Sequence, residues 1–168
     1  MLLKSSKTRF LAGTSLLSAL AFVIDYSLAI FRLKIVFPLQ PTLKFDLSGL
    51  PIGIGTSLFG IGSAFFCSFA LFISISMRGA PLSAFMKSLA EFSTALGMSL
   101  MINRRRGSWL SIPSGVTFRT CVMFVANSFL YPEQTNILIG IFNIIAGTLT
   151  STSGYLSYLA LRKRLMLK

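Results

Sequence analysis

Long apolar runs separated by short polar or basic segments form the dominant pattern of this chain. The runs cover residues 10–31, 50–77, 80–102, 112–131 and 137–161. An α-helix needs about 20 apolar residues to cross the hydrocarbon core of a bilayer, so four of these runs each predict one membrane-spanning helix. The run at 50–77 is long for one helix and is interrupted by Gly60 and Gly62, so it is compatible with one helix or with two.

Basic residues at the ends of the runs distinguish five spans from six. The N-terminus is placed in the cytoplasm, and Lys87 and Arg119 are set aside because they fall inside runs. Six spans then put ten basic residues inside and four outside, whereas five spans put four inside and ten outside. Cytoplasmic segments are enriched in Lys and Arg, so the pattern favours six. The residues predicted to be cytoplasmic are Lys4, Lys7, Arg9, Arg104, Arg105, Arg106, Arg162, Lys163, Arg164 and Lys168.

The predicted architecture is an all-α integral membrane protein, with one domain over residues 1–168. Both termini are cytoplasmic, and the first outer loop is long. The second helix has 10 residues and is too short to span a bilayer alone, so its neighbours must bury its ends. The six helices are predicted at 10–31, 50–59, 61–77, 81–102, 112–131 and 137–161.

Composition narrows the possible functions. The chain is 54% hydrophobic and 12% charged, and its net charge is +12 at pH 7. In a soluble protein this charge would suggest nucleic acid, but here the basic residues cluster at the ends of apolar runs, where they set topology. Histidine is absent and there are only two cysteines, which argues against Cys/His metal sites and against Cys–His or Ser–His nucleophiles. We expect no nucleic-acid partner, no metal, no cofactor and no catalysis.

Polar residues inside the apolar runs predict a pocket in the outer half of the bundle. Lys87 and Glu91 lie on helix 4, Asn127 on helix 5 and Asn143 on helix 6. A charge at bilayer depth costs about 2.5–3.5 kcal/mol and is usually functional. Convergent polar groups among apolar walls are typical of a small-molecule site. Helical spacing predicts inward faces at Ser83, Lys87, Glu91, Thr94 and Met98, at Thr117, Thr120, Asn127 and Tyr131, and at Gly140, Asn143, Gly147, Ser151 and Gly154.

Each of these charges and amides also has a purely structural interpretation. Lys87 and Glu91 are four residues apart and could simply neutralise each other. The two asparagines could be interhelical hydrogen-bonding groups. Asp25, near the outer end of helix 1, could pair with Arg32 or Lys34. Arg119 lies one or two turns from the cytoplasmic end of helix 5, and we expect its side chain to extend to the membrane interface.

The loop between helices 1 and 2 is predicted to cover the pocket. Pro38 and Pro41 fix turns and discourage helix. Lys44, Phe45 and Asp46 offer an aromatic ring and charged groups just before helix 2. A lid needs groups that stack on a ligand and hydrogen-bond to it, and these three residues supply both. An ordinary exposed connector is the alternative.

Three short stretches resemble a known family. They are KFDLSGLP at 44–51, SLAEF at 88–92 and FNIIAGTL at 142–149. Together with the six helices, the long first loop and the basic tail, they resemble the S components of energy-coupling factor (ECF) vitamin transporters, and the riboflavin-specific subunit is the most similar. The resemblance implies a vitamin bound from outside under the first loop. It also implies delivery within a complex containing a membrane scaffold subunit and two ATPases, with Ser15 and Ala19 as a small-xxx-small docking motif on helix 1.

The chain departs from that family at three positions. Ala146 stands where riboflavin-specific members often have lysine, Gly49 where an acid is expected, and Glu91 where asparagine is expected. A carboxylate suits a cationic or hydrogen-bond-donating ligand, whereas Lys44 or Lys87 suits an anionic one. The resemblance therefore implies riboflavin or a related vitamin.

Two other classes of function fit the same pattern. A non-transporting membrane scaffold, such as a cell-envelope assembly subunit, would have no ligand affinity. A stand-alone carrier would move a small molecule without ATPase partners. An intramembrane enzyme fits least well, because few acids and no histidine leave little acid–base chemistry.

Overall fold

Six α-helices and one short hairpin make up the described part of the chain. The computed structural model describes residues 7–41, 43–104 and 109–165. The prediction of six helices, with the second and third separate, is confirmed. The elements are α1 (Lys7–Ile30), β1 (Ile35–Val36), β2 (Lys44–Phe45), α2 (Leu50–Phe59), α3 (Ile61–Ser76), α4 (Pro81–Arg104), α5 (Ser111–Ser128) and α6 (Glu133–Leu165).

Gly60 separates α2 from α3. Its φ is +86°, a left-handed conformation that glycine adopts without steric cost. The Gly60 N–H still donates to the Thr56 carbonyl at 3.0 Å, so the last turn of α2 keeps its helical hydrogen bond. The apolar run at 50–77 is therefore two helices, because the helical backbone is interrupted at Gly60.

The short helix α2 lies in the middle of the bundle. It packs against α1, α3, α4 and α6, as its length requires. Ile52 is fully buried in a core cluster with Leu71 of α3 and Ala84 and Ala95 of α4. The ends of α2 are thus covered by protein, as the sequence predicted.

The crossing of α2 with α6 is a backbone-to-backbone contact. A Cβ atom built on Gly154 would lie 2.8 Å from the carbonyl carbon of Gly53, and one on Gly53 would lie 2.9 Å from the Thr150 carbonyl oxygen. Real Cβ atoms do not approach so closely, so only glycine fits at this crossing. Small residues at helix contacts allow such close packing in membrane proteins.

The first loop (residues 31–49) folds back on itself as a hairpin. Strands β1 and β2 pair antiparallel, with Ile35 opposite Phe45 and Val36 opposite Lys44. The Gln40 N–H donates to the Phe37 carbonyl at 3.1 Å within the turn. The prolines fix this turn, so the loop has a defined shape and places β2 beside the helices.

Helix boundaries differ from prediction by three or four residues at the start of α1, at the end of α6 and around the α5–α6 connection. α5 ends at Ser128 rather than at residue 131, and α6 begins at Glu133 rather than at residue 137. The apolar pattern identifies the apolar part of a helix, whereas α6 begins with the polar segment Glu133 to Asn136. The Asn136 N–H donates to the Pro132 carbonyl at 3.0 Å, which holds that first turn.

Two helices in the described residues are long and apolar enough to cross a membrane, Lys7–Ile30 and Thr135–Leu161. Large apolar side chains on several other helices are exposed, as on Phe65 and Phe69 of α3 and Phe124 of α5. Of the basic residues predicted to be cytoplasmic, Lys4, Arg105, Arg106 and Lys168 lie outside the described residues. The orientation in a membrane stays a prediction.

Candidate functional site

A cavity of about 380 Å³ lies between the first loop and helices α4, α5 and α6. Its volume is in the range of small-molecule sites. Every residue chosen from the sequence as a ligand contact lines this one cavity. These residues are Lys44, Phe45, Asp46, Lys87, Glu91, Asn127 and Asn143.

A buried ion pair joins α4 to α5 at the inner part of the cavity. The Arg119 Nη1 atom donates to Glu91 Oε1 at 2.8 Å, and Arg119 Nε donates to Asn143 Oδ1 at 3.0 Å. Thr150 Oγ1 donates to Glu91 Oε2 at 3.2 Å. Arg119 and Glu91 are only 3% and 5% exposed, so each charge depends on the other for compensation. We call Glu91, Arg119, Asn143 and Thr150 the inner polar group.

A second set of charges lies where the first loop meets α1 and α4. Lys34 Nζ contacts Asp25 Oδ1 at 2.6 Å and Asp46 Oδ2 at 3.0 Å. Lys87 contacts both of these carboxylates, and Arg78 pairs with the other oxygen of Asp25. We call Asp25, Lys34, Asp46, Arg78 and Lys87 the outer ionic cluster. It ties the loop to the helices, since Lys34 and Asp46 belong to the loop.

Asp46 also stabilises the turn of the chain just before α2. Its Oδ1 accepts hydrogen bonds from the Ser48 backbone N–H at 3.2 Å and from the Ser48 hydroxyl at 2.6 Å. Burial alone raises the pKa of the Asp46 carboxyl. The charges of Lys87 and Lys34, with hydrogen bonds from Lys87 and Ser48, outweigh this effect and hold the pKa well below its ordinary range. Asp46 is therefore a carboxylate at physiological pH.

An aromatic wall closes one side of the cavity. The rings of Phe45 and Phe142 are stacked, with centroids 4.6 Å apart and planes at 29°. Phe37, which is buried, contacts both rings edge-on at 5.6 Å. Because Phe45 is in the loop and Phe142 in α6, this contact also holds the loop over the cavity. Such a surface suits the face of a planar ring.

The two remaining predicted residues differ in character. Asn127 is buried, and its Nδ2 donates to the Met123 carbonyl of its own helix at 2.6 Å. Lys44 is exposed at the rim of the cavity. Asn143 makes the interhelical hydrogen bond that was the structural alternative, because its Oδ1 accepts from Arg119 of α5 while its Nδ2 donates to the Ile139 carbonyl of its own helix.

Arg119 is the principal residue that sequence reasoning misplaced. Its side chain does not extend to the membrane interface but is buried against Glu91 and Asn143. The buried face of α5 runs through Ser111, Gly115, Arg119, Met123 and Asn127, and Thr117 of the predicted face is exposed. Counting back from Asn127 in steps of four residues gives Met123 and then Arg119, so this spacing would have placed Arg119 on the buried face.

The pairing of the other charges also differs from one interpretation of the sequence. Lys87 and Glu91 do not neutralise each other: Lys87 pairs with Asp25 and Asp46, and Glu91 pairs with Arg119. The alternative that Asp25 pairs with Lys34 is confirmed. The ion pairs of Lys87 and of Glu91 link residues far apart in the chain, and helical spacing cannot show such pairs.

The residues at which this sequence differs from the resembled family lie in or near the inner polar group. A Cβ atom on Gly49 would lie 2.6 Å from Glu91 Oε2 and 2.6 Å from Thr150 Oγ1. Glu91 therefore fills the space that a side chain at position 49 would take. Ala146 lines the cavity, and its neighbour Gly147 packs against the Arg119 side chain, with 3.0 Å between a built Cβ and Arg119 Cδ.

The predicted docking residues lie on the free face of α1. Ser15 and Ala19 are both exposed and are one turn apart. Leu16 and Leu20 beside them are also exposed, at 71% and 44%. This face is open to contact by lipid or by another protein.

Comparison with solved structures finds the S component of a bacterial ECF transporter. The two structures agree with a TM-score of 0.78 at 26% sequence identity, over 95% of this chain and 99% of that chain. No family model matches the sequence, and no curated protein matches it. The chain is thus similar to an ECF S component along nearly its whole length.

Proposed function

We propose that this chain is the substrate-binding membrane subunit of an ECF-type importer. It binds a vitamin in the cavity under the first loop and delivers it inward together with a membrane scaffold subunit and two ATPases. One observation carries the proposal: seven side chains chosen from the sequence line a single cavity, in a chain similar to an S component over 95% of its length.

The proposal places the protein in the prokaryotic plasma membrane with six spans. Exposed apolar side chains on α1, α3, α5 and α6 support lipid contact. The excess of Lys and Arg at the other end of the bundle supports an orientation with the first loop outside. The cavity then opens toward the side from which a vitamin arrives.

Riboflavin is the first substrate proposed. The stacked rings of Phe45 and Phe142 suit one face of a flat tricyclic ring. The inner polar group and Asn127 offer donors and acceptors for ring carbonyls, ring nitrogens and hydroxyls. The resemblance to riboflavin-specific subunits supports the same choice.

The first experiment is to purify the chain in detergent and to record its absorption and mass spectrum. A yellow, fluorescent sample that releases riboflavin would support both the function and the substrate. A different vitamin would support the function and replace the substrate. A protein that is empty and shows no thermal shift with a vitamin panel would contradict the proposal and favour a non-transporting scaffold.

A second experiment distinguishes an ECF subunit from a stand-alone carrier. The chain is produced in cells or proteoliposomes with and without a scaffold subunit and its ATPases, and vitamin uptake is measured. We expect uptake only with the partners and with ATP. Uptake by the chain alone would contradict the proposed partners.

A further inference from the structure

The outer ionic cluster has more positive than negative charge. Three cations, Lys34, Arg78 and Lys87, surround two carboxylates, Asp25 and Asp46. All three cations line the cavity. The inner polar group is balanced, because Arg119 pairs with Glu91. Counted over the described residues, the cluster therefore carries one more positive charge than negative charge, although each of its cations contacts a carboxylate.

The cations of the outer ionic cluster are more exposed than its carboxylates, so the excess positive charge lies toward the cavity. The side chains of Asp25 and Asp46 are 0% and 4% exposed, whereas those of Lys34, Lys87 and Arg78 are 15%, 23% and 24% exposed. The carboxylates are thus more buried than the cations, which are more accessible from the cavity. Asp46 also lines the cavity, but its side chain is less exposed than those of the three cations, so a ligand at this end meets mainly the cationic side chains.

Each of the three cations keeps a donor for a ligand. An ammonium group has three N–H donors, and Lys34 and Lys87 each contact two carboxylates among the described residues. The Arg78 guanidinium has five N–H donors, and its hydrogen bonds to Asp25 use one donor on Nη1 and one on Nη2. All three groups contact the same carboxylate, Asp25, so their free donors lie close enough together to meet one oxyanion.

The carboxylates of the cavity have no comparable capacity for a cation. The two oxygens of Glu91 accept from Arg119 and Thr150. Asp46 accepts from Ser48 on one oxygen and from Lys34 and Lys87 on the other. Of the two ligand types that the sequence left open, the charges favour the anionic one.

We infer that the ligand of this cavity carries an acidic group, a phosphate or a carboxylate, which lies against Lys34, Arg78 and Lys87. Its apolar or aromatic part then lies toward Phe45 and Phe142. An uncompensated cation in a low-dielectric site is costly, and the acidic group of the ligand supplies the missing negative charge. The inference rests on the proposed function, because it assigns a ligand class to the same site. Within that function it replaces neutral riboflavin by a vitamin, or a vitamin phosphate, that carries an acidic group.

The test uses pairs of ligands that differ in one acidic group: riboflavin 5′-phosphate with riboflavin, pantothenate with pantothenol, and biotin with biotin amide. Calorimetric titration of the full chain in detergent gives the Kd of each. We expect the acid of the bound pair to bind at least about tenfold more tightly than its neutral partner, which corresponds to about 1.4 kcal/mol. Arg78→Gln and Lys87→Gln should each reduce this ratio and leave the Kd of the neutral member nearly unchanged.

Controls separate the possible outcomes. Arg32→Gln, at an exposed cation of the first loop that does not line the cavity, should leave the ratio unchanged, and the melting temperature of each variant reports folding. A neutral member that binds as tightly as its acid would overturn the inference and leave the proposed function intact. Equal binding of inorganic phosphate alone would also overturn it, because the site would then be a free-anion site. If no member of any pair binds, the proposed function fails together with the inference.

Discussion

The pair formed by Arg119 and Glu91 is the contact on which the inner end of the cavity depends. Both side chains are buried, and Asn143 and Thr150 complete their hydrogen bonds. Removing one partner of a buried pair leaves an uncompensated charge, whereas replacing both partners is often close to neutral. Stability and ligand contact are therefore coupled at this position.

We expect Arg119→Met to lower the free energy of unfolding by about 3–5 kcal/mol, because Glu91 would be left buried and unpaired. The double variant Arg119→Met with Glu91→Gln should recover most of this loss. Reversible unfolding in mixed micelles measures both. A double variant no more stable than Arg119→Met alone would show that the pair is not the source of the loss.

Asp46 gives a prediction about pH. Its pKa in the folded protein is lowered from the ordinary value of 3.8, so its ion pairs contribute stability that is complete above pH 3.8 and is lost as the pH falls below it. We expect ligand affinity to be independent of Asp46 titration between pH 5 and pH 8. Asp46→Asn should change the Kd by the same factor at each of these pH values, as measured by titration calorimetry. A change that appears only at the higher pH values would mean that Asp46 titrates in this range.

At the scale of elements, the crossing of α2 with α6 fixes the position of the loop. α2 follows the first loop directly, and its backbone touches that of α6 at Gly53 and Gly154. The same helix α6 supplies Phe142, Asn143 and Thr150 to the cavity. A shift of this crossing would move the lid relative to the wall that it covers.

Gly154→Ala tests this crossing, and Gly140→Ala on the same helix is a matched control. A methyl group at position 154 would overlap the Gly53 backbone, and overpacking of this kind costs about 1–3 kcal/mol. Nothing lies within 4 Å of a Cβ at Gly140, so that change should be neutral or stabilising by up to about 1 kcal/mol. Equal melting temperatures for the two variants would contradict the close crossing.

The sequence predicted the elements better than their contacts. Apolar runs located the helices because that pattern is local, and the count of basic residues on each side decided that the run around Gly60 is two helices. The strands of the hairpin are two residues long, too short for any alternation to show. On α5 the hydroxyls of Thr117 and Thr120 indicated the wrong face, since an arginine in an apolar run suggests the membrane interface more readily than a buried pair.

At the scale of the whole molecule, the site is an assembly of segments far apart in the chain. The outer ionic cluster joins Asp25 of α1, Asp46 of the first loop and Lys87 of α4. The positions of polar residues along the predicted helices indicated that polar groups meet at one end of the bundle, the end predicted to face outward. They could not identify the partners, because pairing across helices depends on how the helices pack.

The free face of α1 gives a prediction about assembly. Ser15 and Ala19 are exposed, so Ser15→Leu with Ala19→Leu should leave folding and ligand affinity unchanged. If α1 docks the scaffold subunit, the added bulk should abolish co-purification with that subunit. Thr148→Leu, at an exposed position of α6, is the control and should retain the complex. Retention of the complex by the α1 variant would place the docking surface elsewhere.

The most direct test of the central claim, that this cavity binds a vitamin under the first loop, is an equilibrium titration of a vitamin panel against the purified chain and its Phe45→Ala variant. We expect one vitamin to bind with a stoichiometry of one, and the variant to bind it at least about tenfold more weakly at an unchanged melting temperature, because Phe45 is half of the aromatic wall. Binding that is equally tight in the variant, or the absence of binding by every vitamin of the panel, would contradict the claim.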